Sequence, residues 1–470
     1  MILDFGIIVI NLNPLLEIAG ASPLAAFWYL FKYGGFIPVV YAFFLGAKWF
    51  WMEHIEEEYA HKWKWVLLLI DVPKENIQTP KAVENIFAQL GGAHSRANFI
   101  EKYWKGKVQE TFSFEITSQE GYIRFYVRAT EQFRDLVEAA FYAQYPDAEI
   151  MEVDDYTVFA PKHFPDKDYD LWGTEFVLQN EEAYPIRTYP EFEHQLSQEF
   201  MDPMAALLES MSKLGAGEHC WLQIIVKPIS DEWKEEGIKI AKKLVGAKVE
   251  EKYDLIEKTL GISSDVVIKT FDAFLEIQEE ESKEKREPVS LVQFLTPGER
   301  RIVESIQFKI AKLGFKVKFR MIYLGKKEVF HKGRGVSPIL GALKQFSILD
   351  ANSFKPYKKV TTKINYFMIK RRVAARQIKI MRSYKNRSMQ RGAHPYVLNI
   401  EELASIFHFP VSTVKAPLVK KTESKRAEPP IGLPVETSTY EAMRRAKIKK
   451  EESEAEALSE PPENLPTAEF

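Results

Sequence analysis

The sequence predicts an α+β protein: an N-terminal transmembrane helix, then two ferredoxin-like modules of the βαββαβ type, then a disordered C-terminal tail. Three observations predict it. Leu24 to Ala47 is almost wholly apolar, with Lys32 its only charge, and a bilayer core takes roughly 20 residues of helix. From Trp63 onward, runs of period two alternate with runs of period 3.6 in the order of a split βαβ unit. Beyond Pro434 the chain is Glu, Lys, Ala, Ser and Pro with few large apolar residues, too few to offset the entropy of ordering. These patterns divide the chain into a membrane anchor at 1–52, a first ferredoxin-like module at 62–156 and a second α/β module at 170–356, which carries a charged excursion at 246–295. A basic segment with a short helix and a Pro-rich connector fills 357–434, and the tail is 435–470.

Trp49, Phe50 and Trp51 follow the apolar run and suit a headgroup interface. An earlier stretch, Phe5 to Gly20, is interrupted by Asn11, Asn13, Pro14 and Glu17 and reads as interfacial or re-entrant. No basic residue precedes Lys32, so the start lacks the basic region of a cleaved signal peptide. Lys48, Lys62 and Lys64 follow the run. Their bias predicts a single pass through the inner membrane with the remaining domains in the cytoplasm.

In the first module Trp63 to Val72 is an apolar strand. Thr79-Pro80 opens a helix with Val83, Ile86, Phe87 and Leu90 on one face. Val108 to Thr117 and Tyr122 to Arg128 alternate as a hairpin, a helix follows Thr130, and Asp147 to Val153 closes the unit. In the second, Thr174 to Gln179 and Glu218 to Lys227 are strands with a helix between them, and Asp231 to Val245 is a helix. Thr296-Pro297-Gly298-Glu299 is a capping box. The strand Phe315 to Tyr323 alternates apolar residues with Lys316, Lys318 and Arg320, which predicts one wet basic face.

Net charge is near zero: 64 Lys and Arg stand against 66 Asp and Glu. No global polyanion or polycation partner follows from that. The charge is unevenly placed, because no acidic residue lies between Asp350 and Glu401. Lys363, Lys370, Arg371, Arg372, Arg376, Lys379 and Arg382 fall there, with Tyr366, Phe367 and Ile369 among them. Three readings stay open: a nucleic-acid track that neutralises phosphates, contact with an anionic leaflet, or a solvated face toward an acidic partner. Without a zinc finger or an aromatic RNP motif, sequence-specific recognition is not expected.

Past the basic segment, Asn399 is a good N-cap with Glu401 and Glu402 in the first turn, and Pro410 stops the helix. Leu403, Ile406 and Phe407 make a short apolar stripe. Leu-Asn-Ile-Glu-Glu-Leu-Ala-Ser-Ile-Phe-His-Phe-Pro at 398–410, followed by Ser-Lys-Arg-Ala-Glu-Pro-Pro-Ile-Gly-Leu-Pro at 424–434, resembles a junction in bacterial type IV secretion and conjugative DNA-transfer coupling-type proteins. There it sits just ahead of the motor ATPase domain. Trp-Leu-Gln-Ile-Ile-Val-Lys-Pro-Ile-Ser-Asp-Glu-Trp at 221–233 is similar to their pre-motor region. The resemblance covers roughly Lys62 to Pro434. It implies a membrane-anchored cytoplasmic scaffold of a DNA or protein translocation system, docking a P-loop motor ATPase carried on a separate chain. Membrane lipid, DNA and a homo-oligomeric copy are the other partners it implies. Leu403, Ile406, Phe407 and Leu433 are then the docking residues; the alternative is that the helix packs on the chain's own second module. A membrane-tethered, non-specific nucleic-acid-binding protein is the second functional class.

No Gly-x-x-x-x-Gly-Lys-Ser/Thr, Gly-x-Ser-x-Gly or His-Glu-x-x-His occurs. The histidines are scattered, with no metal-ligand spacing. The single cysteine, Cys220, excludes an intrachain disulfide and lies in a strand as a buried thiol. The chain is therefore expected to be no enzyme and to hold no cofactor or metal.

Overall fold

The structure, a computed structural model, describes residues 2–4, 9–11, 27–28, 31–32, 36–73, 76–192, 201–246 and 295–411. They lie in one unit of the chain, Met1–Lys420. The charged excursion, the Pro-rich connector and the tail lie outside the described residues.

A small antiparallel hairpin pairs β1 (Ile2–Asp4) with β2 (Val9–Asn11). Helix α1 (Phe36–His61) precedes the main body. The first run is β3 (Trp65–Asp71), α2 (Pro80–Gly91), the short helix α3 (Phe99–Tyr103), β4 (Phe112–Gln119), β5 (Tyr122–Thr130), α4 (Arg134–Gln144) and β6 (Glu149–Glu152). The second is β7 (Tyr169–Leu178), α5 (Met204–Ser212), β8 (Glu218–Pro228), α6 (Trp233–Leu244), α7 (Pro297–Ile310), β9 (Gly314–Lys326), α8 (Ser337–Leu343) and β10 (Phe354–Pro356). Helix α9 (Ile369–Lys385), β11 (Tyr396–Asn399) and α10 (Ile400–Ile406) follow.

The expected architecture, a transmembrane helix and two separate ferredoxin-like modules, does not match this. The strands form one nine-stranded antiparallel sheet in the order β10-β7-β9-β8-β4-β5-β3-β6, with β11 also on β9. Each run places its four strands in the order fourth, first, third, second, although the second run has α6 and α7 between its second and third strands. The second strand of each run, β4 and β8, stands last in that order, and the two pair with each other from Phe112↔Val226 to Gln119↔His219. What looks from the sequence like two free sheet edges is one long ladder, so the two runs share a single sheet. No helix among the described residues is long and apolar enough to cross a membrane. Much of Leu24 to Gly35 lies outside the described residues, and α1 carries Lys48, Glu53 and Glu56 to Glu58 in its second half.

One sheet face is apolar. Phe112, Phe114 and Ile116 of β4, Ile123, Phe125 and Val127 of β5, and Phe315, Val317, Phe319 and Met321 of β9 alternate onto it. The amphipathic helices α2, α4, α5 and α8 cover this face with Phe87, Phe141, Leu208 and Ile339. Helix α10 completes the layer. Asn399 caps it: its Oδ1 accepts Glu402 N–H at 2.8 Å, and Glu402 Oε2 accepts Asn399 N–H at 2.9 Å. Its far end is fixed by His408, whose Nε2 stands 2.9 Å from Asp202 Oδ1 and whose Nδ1 stands 2.8 Å from Ala404 O. Lys309 of α7 reaches the buried Glu402 carboxylate at 3.1 Å.

Leu403, Ile406 and Phe407 are at most 2% exposed. Phe407 meets Phe114 with ring centroids 5.0 Å apart and Phe125 at 5.8 Å. These three side chains are internal core of the chain, with the helix packed chiefly on α2 and the Phe407 ring on β4 and β5, and offer no free face to a motor ATPase. Leu433 lies outside the described residues. The burial has a measurable consequence. Phe407→Ala should cost about 3–5 kcal/mol of unfolding free energy, read by urea denaturation. Stability within error of wild type would place Phe407 outside the core.

Candidate functional site

The opposite sheet face carries a row of charged and polar side chains. The registers bring Glu115 of β4 opposite Gln223 of β8, Gln223 opposite Arg320 of β9, and Arg320 opposite Glu175 of β7. Period-two alternation puts all four on the side away from the apolar core, and all four are essentially inaccessible. Arg320 Nε donates to Glu175 Oε1 at 2.7 Å, and its Nη1 donates to Gln223 Oε1 at 3.1 Å. Gln223 Nε2 donates onward to Glu115 Oε1 at 2.9 Å.

Glu115 is the most heavily bonded carboxylate of the row. It accepts Arg387 Nε at 3.0 Å and Nη2 at 3.2 Å, Ser113 Oγ at 2.6 Å and Tyr156 Oη at 2.7 Å. Arg387 also holds Asp155, through Nη2 at 3.1 Å and through Nη1. Burial alone would raise both carboxyls, but the Arg387 guanidinium outweighs it and holds each below its ordinary range. Burial likewise lifts the hydroxyls of Tyr156 and Tyr384 well above the ordinary tyrosine value, with the Glu115 charge adding to it.

The expected wet basic face of β9 is therefore only partly wet. Lys316 is exposed, but Lys318 and Arg320 are covered by α9 and the segment that follows it. Arg320 Nη2 donates to the carbonyls of Ser388 and Arg391, and Lys318 Nζ donates to Arg391 O at 2.7 Å. Burial pushes the Lys318 ammonium down to about 8, against the raising effect of Glu175. Gly392 sits at φ +101°, and a Cβ there would meet the Glu175 carboxylate at 2.2 Å. The segment after α9 thus needs glycine at that point.

Helix α9 lies over this floor. Gln377, Ile380, Met381 and Tyr384 face the sheet, and Gln377 Nε2 donates to Asp170 Oδ1 and Leu171 O, each at 2.7 Å. Its other side is cationic. A cleft of about 370 Å³ opens between α9, the Lys358–Lys363 loop and the segment at Arg391, lined by Glu175, Lys359, Arg376, Lys379, Arg382 and Arg391 among others.

The sequence-selected cations fall into two groups. Lys363, Lys370, Arg371, Arg372, Lys379 and Arg382 are exposed. Arg376 is a loop staple: its Nη1 donates to the carbonyls of Lys358 at 3.1 Å, Thr361 at 2.6 Å and Lys363 at 3.0 Å. Its charge remains at the cleft wall, while its Nη1 is held by the loop carbonyls. Tyr366 and Phe367, at the start of α9, are 73% and 86% exposed. Lys359 and Arg391, part of the same acid-free basic stretch but not among the contact residues chosen from it, join the cleft because the loop and the segment after α9 fold back together. The buried row was missed as well. Its signal was present as a Glu, a Gln and an Arg at polar-side positions of three strongly apolar strands.

Among the described residues no group of His, Cys, Asp and Glu is placed to hold a metal. Burial pushes the Cys220 thiol up, away from reactivity.

Fold and site together define a layered α+β protein built on one antiparallel sheet, with a cationic cleft above a charge-paired floor. Residues 53–422 match the family described as "Domain of unknown function (DUF8128)", and the chain belongs to that family. The match includes α9, the cleft and α10; the description names no activity, ligand or partner. No curated protein matches the chain.

Removing one member of the buried row leaves its partner charge in low dielectric. Arg387→Met should therefore cost about 3–5 kcal/mol, and the Glu115→Gln/Arg387→Met pair should cost less than the sum of its singles. Glu115 and Asp155 have depressed values in the folded state. Their contribution is present above the ordinary carboxylate range and is lost as pH falls through the depressed values. Urea titrations of both variants across acid pH measure this; a pH-independent gap between wild type and Arg387→Met would contradict it.

Proposed function

We propose that the chain is a non-catalytic binding protein that holds the phosphate backbone of nucleic acid along α9, without reading sequence. The observation that carries this is the exposed cation set around the α9 cleft, on a stretch with no acidic residue between Asp350 and Glu401. Spaced cations of this kind neutralise phosphates and release counterions. Tyr366 and Phe367 add exposed rings beside Lys363, Lys370 and Arg371, an arrangement suited to stacking on unpaired bases. The floor supports the reading from beneath. Arg320 and Arg387 are matched by Glu175, Glu115 and Asp155, so the free positive charge is concentrated on the outer wall, where a polyanion reaches it.

A setting in a type IV secretion-like translocation system rests on the motif resemblance alone. Within that setting the α9 face is the substrate-side surface. Capture of a motor ATPase through Leu403, Ile406 and Phe407 has no support, since those side chains are buried.

Fluorescence anisotropy with labelled single-stranded and duplex oligonucleotides, measured across salt, tests the proposal. Affinity should fall by about 0.9 log units per log unit of salt for each duplex phosphate neutralised, and about 0.7 for each single-strand phosphate. Lys379→Glu with Arg382→Glu should weaken binding and flatten that slope by about 1.5–2 on duplex, with unchanged melting temperature. Binding that ignores salt, or an undiminished affinity in the double variant, removes the proposal.

A further inference from the structure

Helix α1 presents apolar side chains to solvent on more than one side. Phe43 is 79% exposed, Phe50 70% and Trp49 63%, and Val39, Val40 and Phe44 are more than half exposed. At about 100° per residue, Val40 and Trp49, and likewise Phe36 and Leu45, point to opposite sides of α1, so the exposed apolar residues cannot all be covered by one flat protein face. A helix that is apolar all round is ordinarily surrounded by apolar material, and apolar patches of this extent mark an interaction surface.

A second element joins it, distant in sequence. Helix α3 and the turn after it expose Phe99 at 75% and Trp104 at 74%, with Ile100 beside them. The two elements are fixed to each other. Trp51 Nε1 donates to Tyr103 O at 3.0 Å, and the Trp51 and Trp104 rings meet edge to face with centroids 6.5 Å apart. Gly106, at φ +63°, brings the turn so close to α1 that a Cβ would meet Ile55 O at 2.3 Å. Exposed lysines border the rings: Lys48, whose Nζ lies 5.3 Å from the Tyr103 centroid, and Lys102 and Lys105.

We propose that the apolar half of α1 and the α3 turn form one composite surface that seats in one leaflet of an anionic lipid bilayer without crossing it. No helix among the described residues is long and apolar enough to cross a membrane, and α1 becomes charged after Ala47, at Lys48, Glu53 and Glu56 to Glu58. A fluid acyl phase surrounds a helix on all sides, as this exposure pattern requires. Tryptophans and tyrosine at the rim, with lysines outside them, match the headgroup zone and its negative charge. The proposal is independent of the nucleic-acid reading, since it uses no residue of α9.

Flotation of the full chain with phosphatidylcholine vesicles, with and without phosphatidylglycerol, tests it. Wild type should float with both and partition more strongly with the anionic ones. Phe99→Ser with Trp104→Ser should lower partition by about ten-fold or more, with oligonucleotide affinity unchanged, because neither side chain belongs to the apolar core or to α9. Lys48→Glu with Lys105→Glu should abolish the preference for phosphatidylglycerol. Tryptophan quenching by lipids brominated near the headgroup should exceed that by lipids brominated at the chain ends. No flotation of wild type, undiminished flotation of the Phe99/Trp104 variant, a retained anionic preference in the lysine variant, or strongest quenching at the chain ends would each overturn the proposal. So would self-association that shields Trp104 from acrylamide in the absence of lipid.

Discussion

The arrangement depends on one chain of ionic hydrogen bonds, Glu175–Arg320–Gln223–Glu115–Arg387–Asp155. Four of its members sit directly across from one another on adjacent strands. A slip of one residue in any of those ladders would turn a buried charge toward the apolar face. Such a row adds little net stability over a well-packed apolar one, because both partners of each pair are stripped of water. What it supplies here is register. It also supplies position, since Arg320 and Lys318 hold the carbonyls of Ser388 and Arg391, and Arg387 closes the row from above. The path of the chain after α9, and with it one wall of the cleft, follows from those contacts.

Helix α9 joins two incompatible surfaces. Gln377, Ile380, Met381 and Tyr384 need burial, while Lys370, Arg371, Lys379 and Arg382 need water. The sheet satisfies the first group only because its own polar row meets the helix with acceptors and paired charge. The near-neutral total charge hides this division: the acidic residues that balance α9 in the overall count lie elsewhere in the chain.

Much of the local structure was legible in the sequence, because it is set by local physics. Thr296 and Asn399 start helices through capping boxes, and Thr79-Pro80 starts one with proline in its first turn. The alternation of Phe112, Phe114 and Ile116 gives the apolar side of β4. What was not legible is how surfaces meet. Nothing local marks β4 and β8 as partners, since an edge strand and a central strand differ by what lies alongside them. Lys318 and Arg320 alternate like solvent-facing residues, and only the return of the chain through α9 buries them. The stripe Leu403, Ile406 and Phe407 posed the same ambiguity, because an apolar face on a short helix fits an internal neighbour as well as a foreign one. The long apolar N-terminal stretch satisfied a length criterion in the sequence; much of Leu24 to Gly35 lies outside the described residues, and α1 continues past Ala47 into a glutamate-rich half.

The merging of the two strand runs leaves β6 and β10 at the two ends of the main strand order, with β11 a short branch on β9, and both end strands are poor templates. At one end β6 is a four-residue strand bearing Glu149 and Glu152; at the other β10 is a three-residue strand containing Lys355 and Pro356. Short length, charge and proline each discourage a further strand from pairing. An extended peptide, or the edge of another copy, therefore finds no backbone ladder to join at either margin. At these two margins of the described sheet, contact with another chain falls to side-chain chemistry, which charge and shape tune, instead of main-chain hydrogen bonding, which any sequence can supply.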